Sequence, residues 1–503
     1  MELSSIILLL LHAIKNKMPS SMISSSVSSA AITLWSMGLI TVIAVIGSFN
    51  LYIHNTYHTA FAVPHTLPPP SLSGPTIVAN NTHLKVETVF KGLRSPTSMA
   101  FLGPNDILVL EKNRGTVQRI VNGNMLVKPL LKVAVATNIE RGMLGIAISK
   151  TENQNKPTTY VFLYYTQSGG GKTGDDKNTV GGTAAGIPPL GNRLYRYELI
   201  NNQLVNPKLL LSLPAIPANP ASSETNHNGG KVVIGPDRNV YSVIGDVGSH
   251  RGQAQNTADG APLDGTGGIL RVTGDGQPVA NAPLGVGATI DNSSVGGEGG
   301  VNGNSTMSKF YYAYGIRNSF GMGFDPITGK LWDTENGPSF GDEINLVDPG
   351  FNSGWTKIQG VWQAGGESSE PGPIAAAYSN NLVDFGRKGV YRDPEFTWLQ
   401  EVAPTALTFL NSSKLGKQYE NDMFVSDILN GNIYHFKLNH NRTGLLLTGS
   451  LADKVANNPQ EIQQLVFARG FGGITDIQTG PGDGYLYVLS YTGGAIYRIV
   501  PSD

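Results

Sequence analysis

The chain has 503 residues, 62 of them glycine and 30 proline, with only 15% charged side chains and no cysteine. That composition favours many short strands and tight turns over long helices, and it excludes disulfides, thiol chemistry and thiolate zinc sites. A formal net charge of −1 removes any general electrostatic case for nucleic acid as a partner.

In chain order, residues 1–30 read as an N-terminal cytoplasmic segment, in which Met18 or Met22 is an alternative start. Residues 31–53 carry no charge and are long enough to cross a bilayer as a helix. Lys15 and Lys17 precede this run and no charged residue follows it until Lys85, so the positive-inside rule places the body of the protein outside the cytoplasm. An uncleaved transmembrane anchor at 31–53 is therefore expected, with the globular domain extracytoplasmic and tethered to the membrane. A cleaved signal peptide ending near Ala60-Phe61-Ala62 is the competing reading. Residues 54–83 are rich in Pro, Ser and Thr and read as an extended spacer. Its histidines, at 54, 58 and 65, lack the surrounding partners that a metal site needs.

Residues 84–503 repeat one pattern: a Gly-Pro or Asp-Pro turn followed by a short apolar strand. It occurs at Gly103-Pro104, Gly235-Pro236, Asp325-Pro326 and Gly480-Pro481. Such turns join adjacent antiparallel strands. Repeated meanders without a helical period predict an all-β fold, a six-bladed β-propeller with long Gly-rich loops at 168–186 and 283–304, preceded by the N-terminal transmembrane helix. A β-sandwich with ordinary turn usage is the competing architecture.

Two clusters carry chemistry. Asn226-His227-Asn228-Gly229-Gly230 sets a histidine just before a β-patterned run that ends at Gly245-Asp246. A histidine there is a candidate proton acceptor, because its pKa lies near neutral. A loop histidine bonded to backbone is the plainer reading. Asn226 and Asp246 are candidate substrate contacts. The second cluster, Gly315-Ile316-Arg317-Asn318, leads into Glu335-Asn336-Gly337-Pro338. An arginine beside an asparagine can hold a planar, oxygen-rich ligand. A Gly-Pro pair in a loop can turn carbonyls toward a hard cation such as calcium. Asp342 and Glu343 read as residues that tie loops together.

These clusters, with Leu93-Arg-Ser-Pro96, Glu140-Arg-Gly-Met-Leu-Gly-Ile-Ala147, Asp342-Glu-Ile-Asn345, Gly354-Trp355, Val402-Ala-Pro404 and Asp476-Ile-Gln-Thr-Gly-Pro, follow one another in the order of a known family. The chain resembles the glucose/sorbosone dehydrogenases, which include soluble quinoprotein glucose dehydrogenases and aldose sugar dehydrogenases. The resemblance implies a propeller that holds pyrroloquinoline quinone (PQQ) beside calcium. It implies that His227 takes the proton of a sugar's anomeric hydroxyl while hydride passes from C1 to the quinone, and that an external acceptor removes the electrons. It assigns Arg317, Asn318 and Glu140 to the cofactor, Arg317 also to stabilising charge on the quinone, and the carbonyls of Gly337 and Pro338 to calcium.

The chain departs from the family where the cofactor's three carboxylates should be held. Leu429 stands where a lysine is expected, Gly473 and Thr475 where arginines sit, and Glu140 where an uncharged glutamine is usual. Two functions follow: an extracytoplasmic quinoprotein that oxidises aldose sugars to lactones, or a cofactor-free surface propeller that binds carbohydrate or a protein.

Overall fold

In a computed structural model, which describes residues 67–78, 83–151, 157–173, 187–217, 225–248, 256, 263–285, 307–364, 370–375 and 382–502, the four Pro-containing turns occupy one structural position. Each joins the first strand of a sheet to the second: Pro96–Gly103 to Asp106–Glu111, Val232–Ile234 to Val240–Ile244, Ser319–Phe324 to Leu331–Glu335, and Ile474–Thr479 to Leu486–Ser490. Turn aspartates fix the reversal by accepting backbone N–H groups two residues on, Asp237 from Asn239 at 3.1 Å and Asp483 from Tyr485 at 3.2 Å. Tyr241 and Tyr487 then donate their hydroxyls to the same carboxylates, tying each turn to its own second strand.

The described strands form six sheets of four or more strands and one two-stranded hairpin. The first strands of the six sheets are Pro96–Gly103, Met143–Thr151, Val232–Ile234, Ser319–Phe324, Pro404–Phe409 and Ile474–Thr479. Each touches the next, and the last touches the first, so they enclose a common axis. The fold is all-β and propeller-like. The ring closes in the sixth sheet, where the early strand Leu84–Lys91 pairs antiparallel with the C-terminal strand Ala495–Pro501, Leu84 opposite Pro501. Among the described residues the single α-helix is Pro459–Leu465, capped by the Asn458 side chain, which accepts from the Glu461 N–H.

Six apolar clusters fill the six interfaces between neighbouring sheets. Leu108 and Leu110 of the first sheet meet Val161 and Leu163 of the second, for example, and Phe424 and Ile433 of the fifth meet Leu486 and Val488 of the sixth. Side chains alternate across each strand, so a sheet buried on both sides needs apolar residues at nearly every position. Asp106–Glu111 reads DILVLE accordingly. The cores lie between the sheets, which leaves the axis itself for polar groups.

The N-terminal expectations divide at Leu67. The anchor at 31–53, the segment before it and spacer residues 54–66 lie outside the described residues. Among the described residues no helix is long and apolar enough to cross a membrane. From Leu67 onward, however, the expected spacer is docked on the body. Thr76–Ile77 pairs with Val466–Arg469, the Ser71 N–H donates to the Gly470 carbonyl at 2.9 Å, and Thr492 donates to the Pro68 carbonyl at 2.7 Å. Gly472 makes room for this approach, since a Cβ there would fall 3.1 Å from the Pro70 nitrogen. Most of the two Gly-rich loops, 174–186 and 286–304, also lies outside the described residues.

Leu486 is fully buried between the fifth and sixth sheets, next to the closure. Leu486→Ala should cost about 2–5 kcal/mol in chemical denaturation. A loss below about 1 kcal/mol would show that this interface carries little of the fold.

Candidate active site

The first strands run in the same sense around the axis, so their two ends define two mouths. At the N-terminal ends, Thr97, Leu144, Phe320, Thr405 and Thr475 line a cavity of about 380 Å³. At the C-terminal ends, Phe101, Ile148, Phe324, Phe409 and Thr479 line a second, of about 480 Å³. Lys231 borders both, and its Nζ reaches Asp476 Oδ1 at 2.7 Å. These residues come from the third and sixth sheets, on opposite sides of the ring. The ion pair therefore spans the axis and floors the first cavity. Asp476 is also held by Ser98 Oγ at 3.0 Å and by the Met99 N–H at 2.9 Å.

The histidine cluster lies behind the wall of the first cavity. Gly245 brings it together: a Cβ there would strike the Arg317 carbonyl and fall 2.8 Å from the His227 carbonyl. The following N–H, of Asp246, donates to the Arg317 carbonyl at 2.9 Å. Three segments distant in sequence thus touch at one glycine. Beyond it, Asp246 Oδ1 accepts from His227 Nδ1 at 2.6 Å and Oδ2 accepts from Trp355 Nε1 at 2.8 Å. The Arg317 guanidinium lies over the Trp355 ring, 5.3 Å from its centre.

This geometry fixes the imidazole's tautomer. A carboxylate at Nδ1 demands a proton there, which leaves the Nε2 lone pair as the basic site. Asn226 Nδ2, 3.2 Å away, donates to that lone pair. The Asp246 carboxylate is fully buried and the imidazole 3% exposed. His227 is not a surface loop residue. It sits one layer behind the cavity wall, which Gly229, Glu140 and Asn336 form beside it.

Glu140 joins the two sequence clusters, its Oε2 accepting the Asn228 N–H and its Oε1 the Asn318 Nδ2, both at 3.1 Å. Asn318 Oδ1 and Asn336 Oδ1 are buried without a protein partner, a demand that a ligand's donor groups could meet. At the expected cation cradle the Gly337 carbonyl is already engaged. Arg317 Nη1 donates to the Gly337 carbonyl at 2.9 Å and to the Asn336 carbonyl at 3.0 Å, so that oxygen faces a guanidinium. Among the described residues no group of three or more His, Asp or Glu is placed to hold a metal. Asp342 ties loops together as expected, accepting the N–H groups of Gly337, Val402 and Ala403 at 2.9, 2.6 and 2.7 Å.

The uncharged positions at the expected carboxylate clamp take structural roles. Thr475 lines the cavity and donates its hydroxyl to the Pro96 carbonyl. Gly473 packs near Leu67 and Ile428, and Ile428, rather than its neighbour Leu429, borders the cavity. The basic residues that do line the cavity are Lys112 and Lys231, neither singled out by sequence reasoning. Their signal was positional: each is a cation at the end of a buried strand, Lys112 after Asp106–Glu111 and Lys231 before Val232–Ile234.

The family model described as Glucose / Sorbosone dehydrogenase matches residues 93–498. Aldose sugar dehydrogenase YliI of Escherichia coli is 26% identical over 425 residues, which cover 83% of this chain and 93% of that protein. Quinoprotein glucose dehydrogenase B of Acinetobacter calcoaceticus is 27% identical over 329 residues, 62% of this chain and 60% of that protein. A PQQ-bound aldose sugar dehydrogenase from Streptomyces coelicolor superposes with a TM-score of 0.55 at 21% identity, covering 85% of this chain and all of that one. At that identity the likeness is one of fold.

Burial pushes two carboxyls beside the site, Glu335 and Asp342, up to about 7. Glu335 accepts the Arg317 N–H at 2.6 Å and the Ser353 hydroxyl at 2.6 Å. Its folded value lies above the ordinary 4.5, so the folded chain holds a proton that the unfolded chain has released. That stabilisation is complete below about pH 4.5 and is lost as pH rises toward 7. In Glu335→Gln the fall in melting temperature between pH 4.5 and 7.5 should be shallower than in the parent. Parallel profiles would contradict the assignment.

Proposed function

The chain belongs to the glucose/sorbosone dehydrogenase family, and on that premise we propose that it is a quinoprotein oxidoreductase that oxidises aldose sugars at C1 to lactones, with PQQ as the bound acceptor. The observation that carries this reading is the His227 Nδ1–Asp246 contact of 2.6 Å, which prepares one basic nitrogen just behind the cavity wall. The six sheets are then the blades of a six-bladed propeller, and the first cavity at its axis is where the cofactor would bind. PQQ, when bound, accepts the electron pair that leaves C1 as hydride.

The chain's own residues do the rest. His227 Nε2 takes the proton of the anomeric hydroxyl as the carbonyl forms, and Asp246 stabilises the resulting imidazolium. The Asn226 amide, which holds Nε2 in its present arrangement, gives way to the sugar hydroxyl or turns to bind a neighbouring one. Arg317 is anchored by the Asn336 and Gly337 carbonyls and by Trp355, which fixes a positive charge behind Asn336 of the cavity wall. Asn318 and Glu140 hold the arginine and histidine loops in register. Calcium receives no step, because the Gly337 carbonyl is engaged by Arg317. An external acceptor would then re-oxidise the bound cofactor. The charge pattern around residues 31–53 supports a membrane-anchored protein with its catalytic body extracytoplasmic.

The second reading, a cofactor-free propeller that binds carbohydrate or a protein, draws on the uncharged cavity wall at Leu67, Ile428 and Thr475. A dye-linked aldose assay on protein reconstituted with PQQ separates the two. His227→Asn should lower kcat on the order of 10²- to 10⁴-fold with PQQ affinity unchanged. Absence of turnover in the parent, or full activity in the variant, would end the dehydrogenase reading.

A further inference from the structure

Backbone conformation singles out one residue that lines the first cavity. Among the described residues two β-branched side chains sit at positive φ, Ile139 and Val247, both at +45°. A left-handed backbone crowds a branched Cβ, so each position is strained. Val247 directly follows Asp246 and is fully buried, and its packing in an apolar cluster offsets that strain. Ile139 is 61% exposed, so packing offsets little, yet it lines the first cavity. The Arg141 N–H donates to the Asn138 carbonyl at 2.9 Å, which makes Ile139 the first central residue of a reversal. Reversals that are left-handed at that position normally carry Gly, Asn or Asp there.

The flanks of this reversal fix where the side chain stands. Before it, the Ala136 N–H donates to the Thr166 carbonyl at 3.0 Å. After it, the Glu140 carboxylate accepts from Asn228 and Asn318. Ile139 therefore stands next to the wall behind which His227 lies. Four neutral polar groups of the same cavity present acceptors. Thr97, Thr405 and Thr475 donate their hydroxyls to the Met143, Ile474 and Pro96 carbonyls at 2.7, 2.6 and 2.8 Å, which leaves each hydroxyl oxygen able to accept. Asn336 Oδ1, buried without a protein partner, is the fourth.

Resting on the sugar-oxidising reading above, but not on the identity of the electron acceptor, we infer that Ile139 is a substrate-contact residue. Its side chain packs on the C–H face of an aldose ring whose hydroxyls donate to the acceptors of the cavity wall. A pyranose supplies both kinds of surface, O–H donors at its edge and bare C–H groups on its faces. The strained backbone at 139 is then retained for the ligand, since an exposed isoleucine does little for the fold at this position. Binding and stability should accordingly respond in opposite directions when the residue is changed.

Calorimetric titration of the full chain with glucose, galactose, mannose and xylose, together with thermal melting, tests this. Ile139→Asn, which relieves the backbone and removes the apolar contact, should weaken binding of the tightest aldose roughly 5- to 30-fold. The same variant should raise the melting temperature by about 1–2 °C. Ile139→Val keeps the branched Cβ and most of the contact, so its affinity should stay within about fourfold of the parent and its melting temperature should not rise. Unchanged aldose binding in Ile139→Asn, or a melting temperature that falls, would make Ile139 a structural residue and overturn the assignment. Because titration reads binding without turnover, an inactive parent that still binds aldose would remove the dehydrogenase reading alone. A parent that binds none of the four sugars would remove both.

Discussion

A buried carboxylate that must find two hydrogen-bond donors organises the histidine–arginine cluster of this molecule. Asp246 is fully buried and meets its demand with His227 Nδ1 and Trp355 Nε1. An ionised carboxyl removed from water without such partners would be strongly unfavourable. The contact therefore selects the imidazole's tautomer and orientation at once. It also places Arg317, which stacks on the same tryptophan. Gly245 allows the arrangement because no side chain can stand between the His227 and Arg317 backbones.

The wider fold makes such a centre possible by putting its apolar cores away from the axis. Six clusters between adjacent sheets supply the hydrophobic stabilisation, so the first strands can afford polar ends. Lys231 and Asp476 exploit that freedom by pairing across the ring. Their contact lies between the two cavities, both of which Lys231 borders. Pairing of the chain's early strand with its last one then holds the ring shut, and the arrangement of His227, Asp246 and Arg317, assembled from different sheets, depends on that closure.

Local chemistry was legible in the sequence; long-range placement was less so. The Gly-Pro and Asp-Pro turns were readable because an Asp beside Pro and Gly dictates its own reversal, and all four fall between the first and second strands of a sheet. His227 was readable because Gly229-Gly230 and Gly245-Asp246 bracket one strand pair. Lys112 and Lys231 were not, since a lysine beside a buried strand looks like a strand terminator until the ring is closed around it. The docking of residues 67–78 was hidden for a similar reason: Pro-rich chain is extended whether free or bound. The contact of the Arg317 guanidinium with the Gly337 carbonyl was not readable either, because only the fold brings the two together.

The central claim is that His227 and a quinone in the first cavity act together on a sugar C1–H bond. Anaerobic stopped-flow absorbance of the PQQ-loaded protein mixed with aldose, protiated or deuterated at C1, tests it most directly. The account predicts single-turnover reduction of the quinone with a primary isotope effect on its rate. A quinone spectrum unchanged by sugar, or a reduction rate indifferent to deuterium, would contradict it.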